Sequence, residues 1–262
     1  MRSFREYLAT HRLPHVWCPG CGHGVILKAI LLVLAELDVP REKALLATGI
    51  GCAGRAGDYV ACHRFQGTHG RTPAFVTGIK LARPELTLVC LLGDGDCAAI
   101  GLHHVLHAAR RNVGVTTVVA NNFNYGMTGG QYSPLTPAGS ITSTSRSGHA
   151  EAPADLCRLV AAAGAAYVAR TTVYHVGELR RFLRTALGRK GFALIEVLTP
   201  CPTYYGRYNR LGGAADMLTW LKRATVPLRE YEKMPGPGRQ SVFWRGVLVD
   251  RESAGEEEAH GK

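Results

Sequence analysis

The 262-residue chain is 46 % apolar and 19 % charged, which allows a substantial buried core and excludes global disorder. Its formal net charge is +11, yet the arginines are scattered and form no basic stripe with aromatics, so we expect no nucleic-acid partner. No apolar run reaches the roughly 20 residues of a membrane span, and the polar, basic start lacks an apolar signal region. We therefore expect a cytoplasmic protein without a membrane partner, whose charge suits acidic proteins or phosphorylated cofactors.

In chain order, β-rich runs alternate with helical stretches. The pattern predicts a helix over residues 25–37, strands over 44–48 and 86–92, a helix over 97–110 and a strand over 115–120. It continues with a helix over 154–163 that has Pro153 near its first turn, a strand near Tyr167, a helix over 176–187 and a strand over 192–198. Such βαβ order predicts an α/β fold, a mostly parallel sheet with helices on both faces. We expect one domain over residues 1–250 and a disordered tail over 251–262.

A Gly-Asp-Gly-Asp turn at residues 93–96 directly follows a strand that is predicted to be buried on both faces. In open parallel sheets ligands bind beyond the carboxyl ends of strands, where glycines and a helix N-terminus can approach phosphate oxygens. Asp94 supplies a hard oxygen ligand, and Asn122 and the Asn124 carbonyl can add oxygens from the end of the next strand. We therefore predict that Mg²⁺ binds a diphosphate here, and regard a simple polar turn as the alternative. The loop over residues 123–149 is long enough to cover such a site or to lie at an interface.

Gly49, Gly51 and Gly54 spell G-x-G-x-x-G, a pattern that also occurs in dinucleotide-binding folds. No Asp or Glu ends a strand about 20 residues later, where recognition of a ribose would need one. Cys52 is moreover an unusual residue inside such a motif. We therefore expect this turn to serve something other than a dinucleotide.

Eight cysteines in a chain without a secretion signal argue for a metal or a cluster rather than for a disulfide scaffold. Cys18 and Cys21 form a C-P-G-C knuckle, Cys52 lies in the Gly-rich turn, and Cys201 lies in T-P-C-P-T after the last predicted strand. Four thiolates suit zinc or a cubane cluster, a lone CxxC could be a redox dithiol, and the spacing does not choose among these. The remaining four stand among apolar or small residues and are expected to be buried: Cys62, Cys90, Cys97 and Cys157.

Several motifs occur in order along the chain: W-C-P-G-C-G-H-G, G-I-G-C-A-G-R, T-H-G-R with V-T-G-I-K-L-A-R-P, G-D-G-D, N-Y-G-M-T-G-G-Q-Y-S-P and C-P-T-Y-Y-G-R. Over residues 17–222 they resemble the β subunit of 2-oxoacid:ferredoxin oxidoreductases, particularly the 2-oxoglutarate type. The resemblance implies a thiamine-diphosphate-binding fold and a [4Fe–4S] cluster on Cys18, Cys21, Cys52 and Cys201. It places magnesium on Asp94, Asn122 and Asn124, and cofactor contacts on Ile50, Gly51, Cys52, Ala53, His69, Gly95, Asp96, Gly126 and Met127.

Several single residues have a functional and a structural interpretation. His69 could donate a hydrogen bond to a phosphate oxygen, or could be a capping or surface histidine. Met127 could pack against the cofactor or belong to the core, and Arg55 could pair with a substrate carboxylate or be a solvated surface arginine. Three histidines of the helix after the diphosphate turn are expected to pack rather than to bind metal: His103, His104 and His107.

The activity that the resemblance implies is coenzyme A-dependent oxidative decarboxylation of a 2-oxoacid to acyl-CoA and CO₂, with electrons passing through the cluster to ferredoxin, or the reverse. No glutamate in a matching context supplies the carboxylate that thiamine enzymes need; in this family it comes from an α subunit. We therefore expect an αβ or (αβ)₂ assembly and an isolated chain that is inactive.

Alternatives remain for the identity of the substrate and for the role of the four cysteines. The resemblance favours 2-oxoglutarate, with pyruvate and branched-chain 2-oxoacids as alternatives. Gly129 stands where some relatives carry a substrate-holding lysine, which weakens an assignment of the substrate from this subunit alone. A zinc-stabilised non-redox protein would leave Asp94 and Asn122 unexplained. A thiamine enzyme without redox chemistry would leave the four cysteines unexplained.

Overall fold

The computed structural model of the protein describes residues 2–239 and 242–251. Within them one eight-stranded sheet has the order β2-β1-β3-β4-β6-β5-β8-β7. The strands are β1 (Ala44–Thr48), β2 (His63–Gln66), β3 (Thr87–Gly93), β4 (Thr116–Asn121), β5 (Tyr167–Thr172), β6 (Ala193–Leu198), β7 (Thr225–Pro227) and β8 (Phe243–Asp250). Strands β1 to β6 are parallel, whereas β8 runs antiparallel to β5 and carries β7 at the edge.

Helices cover both faces of the sheet and enclose one apolar core on each. Helices α1, α5 and α6 contribute to the first core, and α2, α3 and α4 contribute to the second. The helices are α1 (His23–Glu36), α2 (Thr72–Ala82), α3 (Leu102–Arg110), α4 (Leu156–Ala162), α5 (Val176–Gly188), α6 (Ala214–Arg223), α7 (Leu228–Lys233) and α8 (Gly236–Arg239). The predicted α/β fold is thus confirmed. No helix in the described residues is long and apolar enough to cross a membrane.

The continuous apolar run of β3 follows from burial on both sides. Val89 and Leu91 point into the first core, whereas Leu88, Cys90 and Leu92 point into the second. Successive side chains of a strand alternate between the faces of a sheet, so a central parallel strand needs apolar residues at every position. The same reasoning applies to β4, which is buried throughout.

The predicted helix over residues 97–110 is interrupted. A π-helical turn, Asp96–Ile100, comes first, then Gly101, and only then α3. A Cβ on Gly101 would lie 2.3 Å from the Asp96 carbonyl oxygen and 3.1 Å from the Gly70 Cα, so two backbone segments meet closely at this glycine. The wide turn therefore fits the chain against the neighbouring loop, which a regular helix would not do.

Other differences lie at helix ends and at the sheet edges. Helix α4 begins later than predicted because the Asp155 side chain caps its first turn, which leaves Pro153 outside the helix. Strand β2 is an exposed, polar edge strand without apolar alternation, and β8 contains Gly246 at φ 138°, so neither carries a clear periodic signal. Of the tail predicted to be disordered, only Arg251 lies within the described residues.

Candidate functional site

The turns after β1, β2, β3 and β4 meet at one edge of the sheet and line a cavity of about 340 Å³. This is the edge at which parallel strands present their carboxyl ends, where such folds bind ligands. The lining includes every residue that was expected to contact the cofactor: Ile50, Gly51, Cys52, Ala53, His69, Gly95, Asp96, Gly126 and Met127. The three expected magnesium ligands line it as well: Asp94, Asn122 and Asn124.

Asp94 and Asn122 approach each other at the floor of this cavity. Asp94 is 3 % exposed, and its Oδ2 accepts a 2.5 Å hydrogen bond from Ser133 Oγ. Burial raises the pKa of Asp94 to about 7, since a buried carboxylate has lost its hydration. One end of the Asn122 amide lies 3.3 Å from Asp94 Oδ1 and 2.7 Å from the Asn124 carbonyl oxygen.

These atoms fit a cation. If the amino group of Asn122 faces Asp94 and the Asn124 carbonyl, it donates to both; if the amide oxygen faces them, three oxygens converge, an arrangement that a cation would stabilise. The buried Oδ1 of Asn124 has no hydrogen-bond partner within residues 2–239 and 242–251. One carboxylate with amide and carbonyl oxygens is a donor set that suits Mg²⁺, which keeps further positions for water and phosphate.

Asp96 also lines the cavity, but its carboxylate binds other loops of the protein. Oδ1 accepts a 2.6 Å hydrogen bond from the Gly70 N–H and lies 2.8 Å from His69 Nδ1, and Oδ2 accepts from the Ile50 N–H at 3.3 Å. A Cβ on Gly49 would lie 1.4 Å from Asp96 Oδ2, so the first glycine of G-x-G-x-x-G is required by this contact. Asp96 thus joins the turns after β1, β2 and β3 into one wall.

A smaller cavity of about 90 Å³ adjoins the first. It is lined by the four cysteines expected to hold a cluster: Cys18, Cys21, Cys52 and Cys201. The two cavities share Cys52, Asn122, Gly126 and Met127 as a common wall. The structure therefore brings together residues from the knuckle before α1 and from the turns after β1 and β6, which lie far apart in sequence.

The cysteines of this smaller cavity affect one another's ionisation. Burial raises the pKa of Cys21 to about 12 and that of Cys52 to about 11, and neighbouring cysteines add to both shifts. In the described part of the chain, no three His, Cys, Asp or Glu side chains are placed to hold a single metal ion. The choice between zinc and a cubane cluster therefore stays a prediction.

Two aromatic residues beside the cysteines were missed by the sequence reasoning. His23 is buried, lines the larger cavity and places Nδ1 2.9 Å from Cys21 Sγ. Trp17 Nε1 donates a 2.8 Å hydrogen bond to the Cys52 carbonyl, and its ring stacks on His23 at 5.9 Å. The C-x-H spacing after the knuckle was a signal for His23, and no pattern pointed to the contact of Trp17.

The remaining predicted residues lie at the rims. Arg55 lines the smaller cavity, away from the larger one, and its guanidinium pairs with Asp58 at 2.9 Å, so a role toward a substrate carboxylate stays a prediction. Met127 is 53 % and Ile50 is 42 % exposed, so the larger cavity has an apolar, open rim. The rings of two histidines on α3, His103 and His104, are 3.8 Å apart.

Comparisons with known proteins found a matching family, similar sequences and a similar structure. Residues 49–197 match the family described as thiamine pyrophosphate enzyme, C-terminal TPP binding domain. The 2-oxoglutarate synthase subunit KorB of Methanocaldococcus jannaschii is 45 % identical over 252 residues, which cover 96 % of this chain and 93 % of that protein. The KorB subunit of Archaeoglobus fulgidus is 46 % identical, over 95 % of this chain and 91 % of that protein. The structure of 2-oxoglutarate:ferredoxin oxidoreductase from Magnetococcus marinus, with 2-oxoglutarate, coenzyme A and succinyl-CoA bound, aligns with a TM-score of 0.85 and 30 % identity, over 96 % of this chain and 86 % of that chain.

Proposed function

Because the chain belongs to the thiamine-diphosphate-binding β subunits of 2-oxoacid:ferredoxin oxidoreductases, of the 2-oxoglutarate type, we propose that it carries out coenzyme A-dependent oxidative decarboxylation of 2-oxoglutarate together with an α subunit. A 2-oxoacid and coenzyme A give acyl-CoA, CO₂, one proton and two electrons, and the electrons leave through a [4Fe–4S] cluster to ferredoxin. The observation that supports this proposal is the wall shared by the two cavities, because a cluster held in the smaller one would adjoin a cofactor held in the larger one.

In this proposal the residues that line the larger cavity would bind thiamine diphosphate and magnesium. When bound, thiamine diphosphate would supply a nucleophilic carbanion for the 2-oxo carbon and an electron sink for the electron pair that remains after CO₂ departs. Asp94, Asn122 and the Asn124 carbonyl would hold magnesium, and His69, 37 % exposed at the side chain, would face the diphosphate. Met127 would pack against the cofactor as an adaptable apolar side chain.

The cysteines of the smaller cavity would hold the cluster, which supplies a one-electron acceptor beside the reacting carbon. In this arrangement Cys52 would act at both sites, because its thiol lines the smaller cavity and its turn lines the larger one. Gly126 keeps the common wall thin. A Cβ there would approach Cys201 Sγ at 3.6 Å and Asn124 Oδ1 at 3.3 Å.

Removal of one cavity cysteine should eliminate the cluster without unfolding the protein. We expect anaerobically purified wild-type protein to be brown and to bleach with dithionite, and Cys18→Ala to lose at least about nine-tenths of that iron. Cys18 is suited to this test because it is exposed and lines only the smaller cavity. The matched control is Cys62→Ala, a cysteine outside both cavities, which should retain iron and colour. A colourless wild-type protein that contains zinc and keeps its fold would contradict the cluster assignment.

The α subunit would supply what this chain does not. Of the described residues, those lining the larger cavity include no glutamate, which supports an activating carboxylate from another chain. The exposed apolar side chains of Ile50 and Met127 at the cavity would suit a partner that closes it.

The assay that tests this function compares the isolated chain with the αβ complex. We expect the complex to reduce methyl viologen with 2-oxoglutarate and coenzyme A, and the isolated chain to be inactive. Pyruvate and branched-chain 2-oxoacids in the same panel decide the substrate. Activity of the isolated chain, or a complex that turns over 2-oxoglutarate without coenzyme A or an electron acceptor, would refute the proposal.

A further inference from the structure

The smaller cavity opens toward a surface free of carboxylates, which we call the N-terminal face and define as Arg12, Leu13, His15, Val16 and Lys28. The chain has no Asp or Glu between Glu6 and Glu36, a stretch that contains all five of these residues. Val16 lines the smaller cavity and is 64 % exposed, and Leu13 is 45 % exposed. The first thiol of the knuckle, Cys18, is exposed beside them, so the expected cluster would come closest to solvent at this face.

A groove of about 210 Å³ crosses the N-terminal face. Leu13, His15 and Lys28 line it, and Trp17 lines both this groove and the cysteine cavity. The Trp17 ring packs against His15 at 5.2 Å and against Tyr59 at 5.1 Å. One aromatic side chain thus separates a partner seated in the groove from the cysteines.

The charge of the N-terminal face is positive and is not cancelled nearby. Among residues 2–239 and 242–251, neither Arg12 nor Lys28 has an ion pair with a carboxylate, and the Lys28 ammonium lies 5.9 Å from the Phe4 ring. Two carboxylates in segments that line the groove have basic partners, since Glu6 pairs with Arg2 and Asp58 pairs with Arg55 and Arg64. The N-terminal face thus has apolar side chains next to basic ones, a surface that suits an acidic partner.

We propose that the N-terminal face docks a small acidic iron–sulfur protein that carries electrons away from the cluster. This inference rests on the proposed function, because a carrier is needed at this face only if the adjoining cysteines hold a redox centre. In each encounter the reduced cluster loses one electron and the iron–sulfur centre of the carrier gains it, so two carriers are reduced for each 2-oxoacid oxidised. Opposite charges increase the encounter rate, while a small apolar contact permits fast release.

A second copy of this chain is a poorer occupant. A symmetric contact would bring Arg12 and Lys28 of one copy toward the same residues of the other, and like charges across an interface oppose association. The net charge of +11 disfavours self-association of this face further, whereas it attracts an acidic carrier from a distance.

Charge reversal on the complete αβ complex tests the proposal. We expect the double variant Arg12→Glu, Lys28→Glu to raise the KM for a purified two-cluster bacterial ferredoxin at least about tenfold at low salt. Methyl viologen turnover should stay within about twofold, because a small dye needs no docking surface. The matched control is Arg110→Glu, Arg111→Glu, two exposed arginines at the end of α3 on the opposite edge of the sheet. A second pair compares Leu13→Asp with Leu81→Asp, a 67 % exposed leucine at the end of α2, and only Leu13→Asp should impair ferredoxin reduction.

Each other outcome overturns the inference. Equal effects of the two double variants on ferredoxin reduction would mean that only net charge matters. Loss of the α subunit from the Arg12→Glu, Lys28→Glu complex in gel filtration would assign the face to the subunit interface, and loss of viologen turnover would place these residues inside the catalytic machinery. If instead the wild-type complex reduces neither dye nor ferredoxin, the proposed function itself has failed, a result that differs from all of these.

Discussion

Asp94→Asn should make the ligand-free protein more stable at pH 8 while weakening magnesium-dependent binding of thiamine diphosphate at least about 100-fold. The two effects have one cause. Asp94 is buried and has no cationic partner among the residues that the structure describes, and burial raises the pKa of its carboxyl group to about 7. Asparagine keeps the size and an oxygen that can accept the Ser133 hydrogen bond, but it removes the charge that a magnesium ion would need.

The pH dependence of stability follows from the direction of this pKa shift. Between about pH 4 and pH 7 folded Asp94 holds a proton that the unfolded chain has already lost, so stability falls as pH rises through this window. Above pH 7 the full cost of burying the charge, on the order of 4 kcal/mol, is present. Asp94→Asn should therefore raise the thermal midpoint of the ligand-free chain at pH 8, but hardly at pH 4.

Thermal unfolding of chelator-treated protein measures the stability effect, and calorimetric titration of the αβ complex with magnesium and thiamine diphosphate measures the affinity. The control is Asp38→Asn, since the Asp38 side chain is 66 % exposed and its backbone has φ 53°, a conformation that asparagine tolerates. Unchanged affinity for thiamine diphosphate in Asp94→Asn would show that Asp94 is not a magnesium ligand. A loss of stability at pH 8 would show that the buried charge is compensated in the ligand-free chain.

The part of the site that follows regular structure could be predicted from the sequence. Strands β3 and β4 are buried, so their patterns reveal where they end, and the polar residues at those ends then mark the carboxyl edge of the sheet. Asp94 and Asn122 could be placed by this reasoning alone. The grouping of the cysteines required the resemblance as well, because the turns that carry them have no period.

The contacts within the site could not be predicted, because they join distant turns. Ser133 reaches Asp94 from a loop 39 residues further along the chain, and no pattern in either segment encodes that approach. Asp96 could be taken for a cofactor contact, but only the fold reveals that its oxygens are shared by the backbone of Ile50 and Gly70. Sequence patterns report which face a residue occupies, whereas the partner across a loop depends on the packing of the whole chain.

Glu196→Gln should lower the free energy of unfolding by about 3 kcal/mol, although the change is nearly isosteric. Glu196 is 2 % exposed, and its two oxygens face three donors: Arg170 Nε at 2.8 Å, Asn121 Nδ2 at 2.7 Å and the Cys157 thiol at 3.2 Å. In either orientation the new amide would turn an NH₂ group toward one of these donors. Arg170 would retain Asp155 at 3.1 Å, which limits the loss compared with a fully unpaired buried charge.

The control for this prediction is Glu36→Gln, which likewise removes a carboxylate that pairs with arginine. Glu36 pairs with Arg180 and Arg184 across α1 and α5, but both arginine side chains are substantially exposed, so we expect a loss of no more than about 1 kcal/mol. Urea unfolding of the two ligand-free variants measures the difference. Equal losses would mean that burial of the Glu196 network adds nothing to stability.

Glu196→Gln should also disturb the predicted magnesium site, because Asn121 connects Glu196 to that site. Asn121 donates to Glu196, and its own Oδ1 accepts a 3.0 Å hydrogen bond from the Phe123 N–H, where the chain turns with φ 65°. Positive φ is strained for phenylalanine and persists only if the surroundings hold it. Because this turn carries Asn122 and Asn124, a loosened Asn121 should weaken magnesium-dependent binding of thiamine diphosphate about tenfold in Glu196→Gln, but not in Glu36→Gln. If Glu196→Gln lost stability at unchanged affinity, the buried ion pair would support the sheet alone, and the turn would owe its geometry to the hydrogen bond that Thr136 donates to the Phe123 carbonyl.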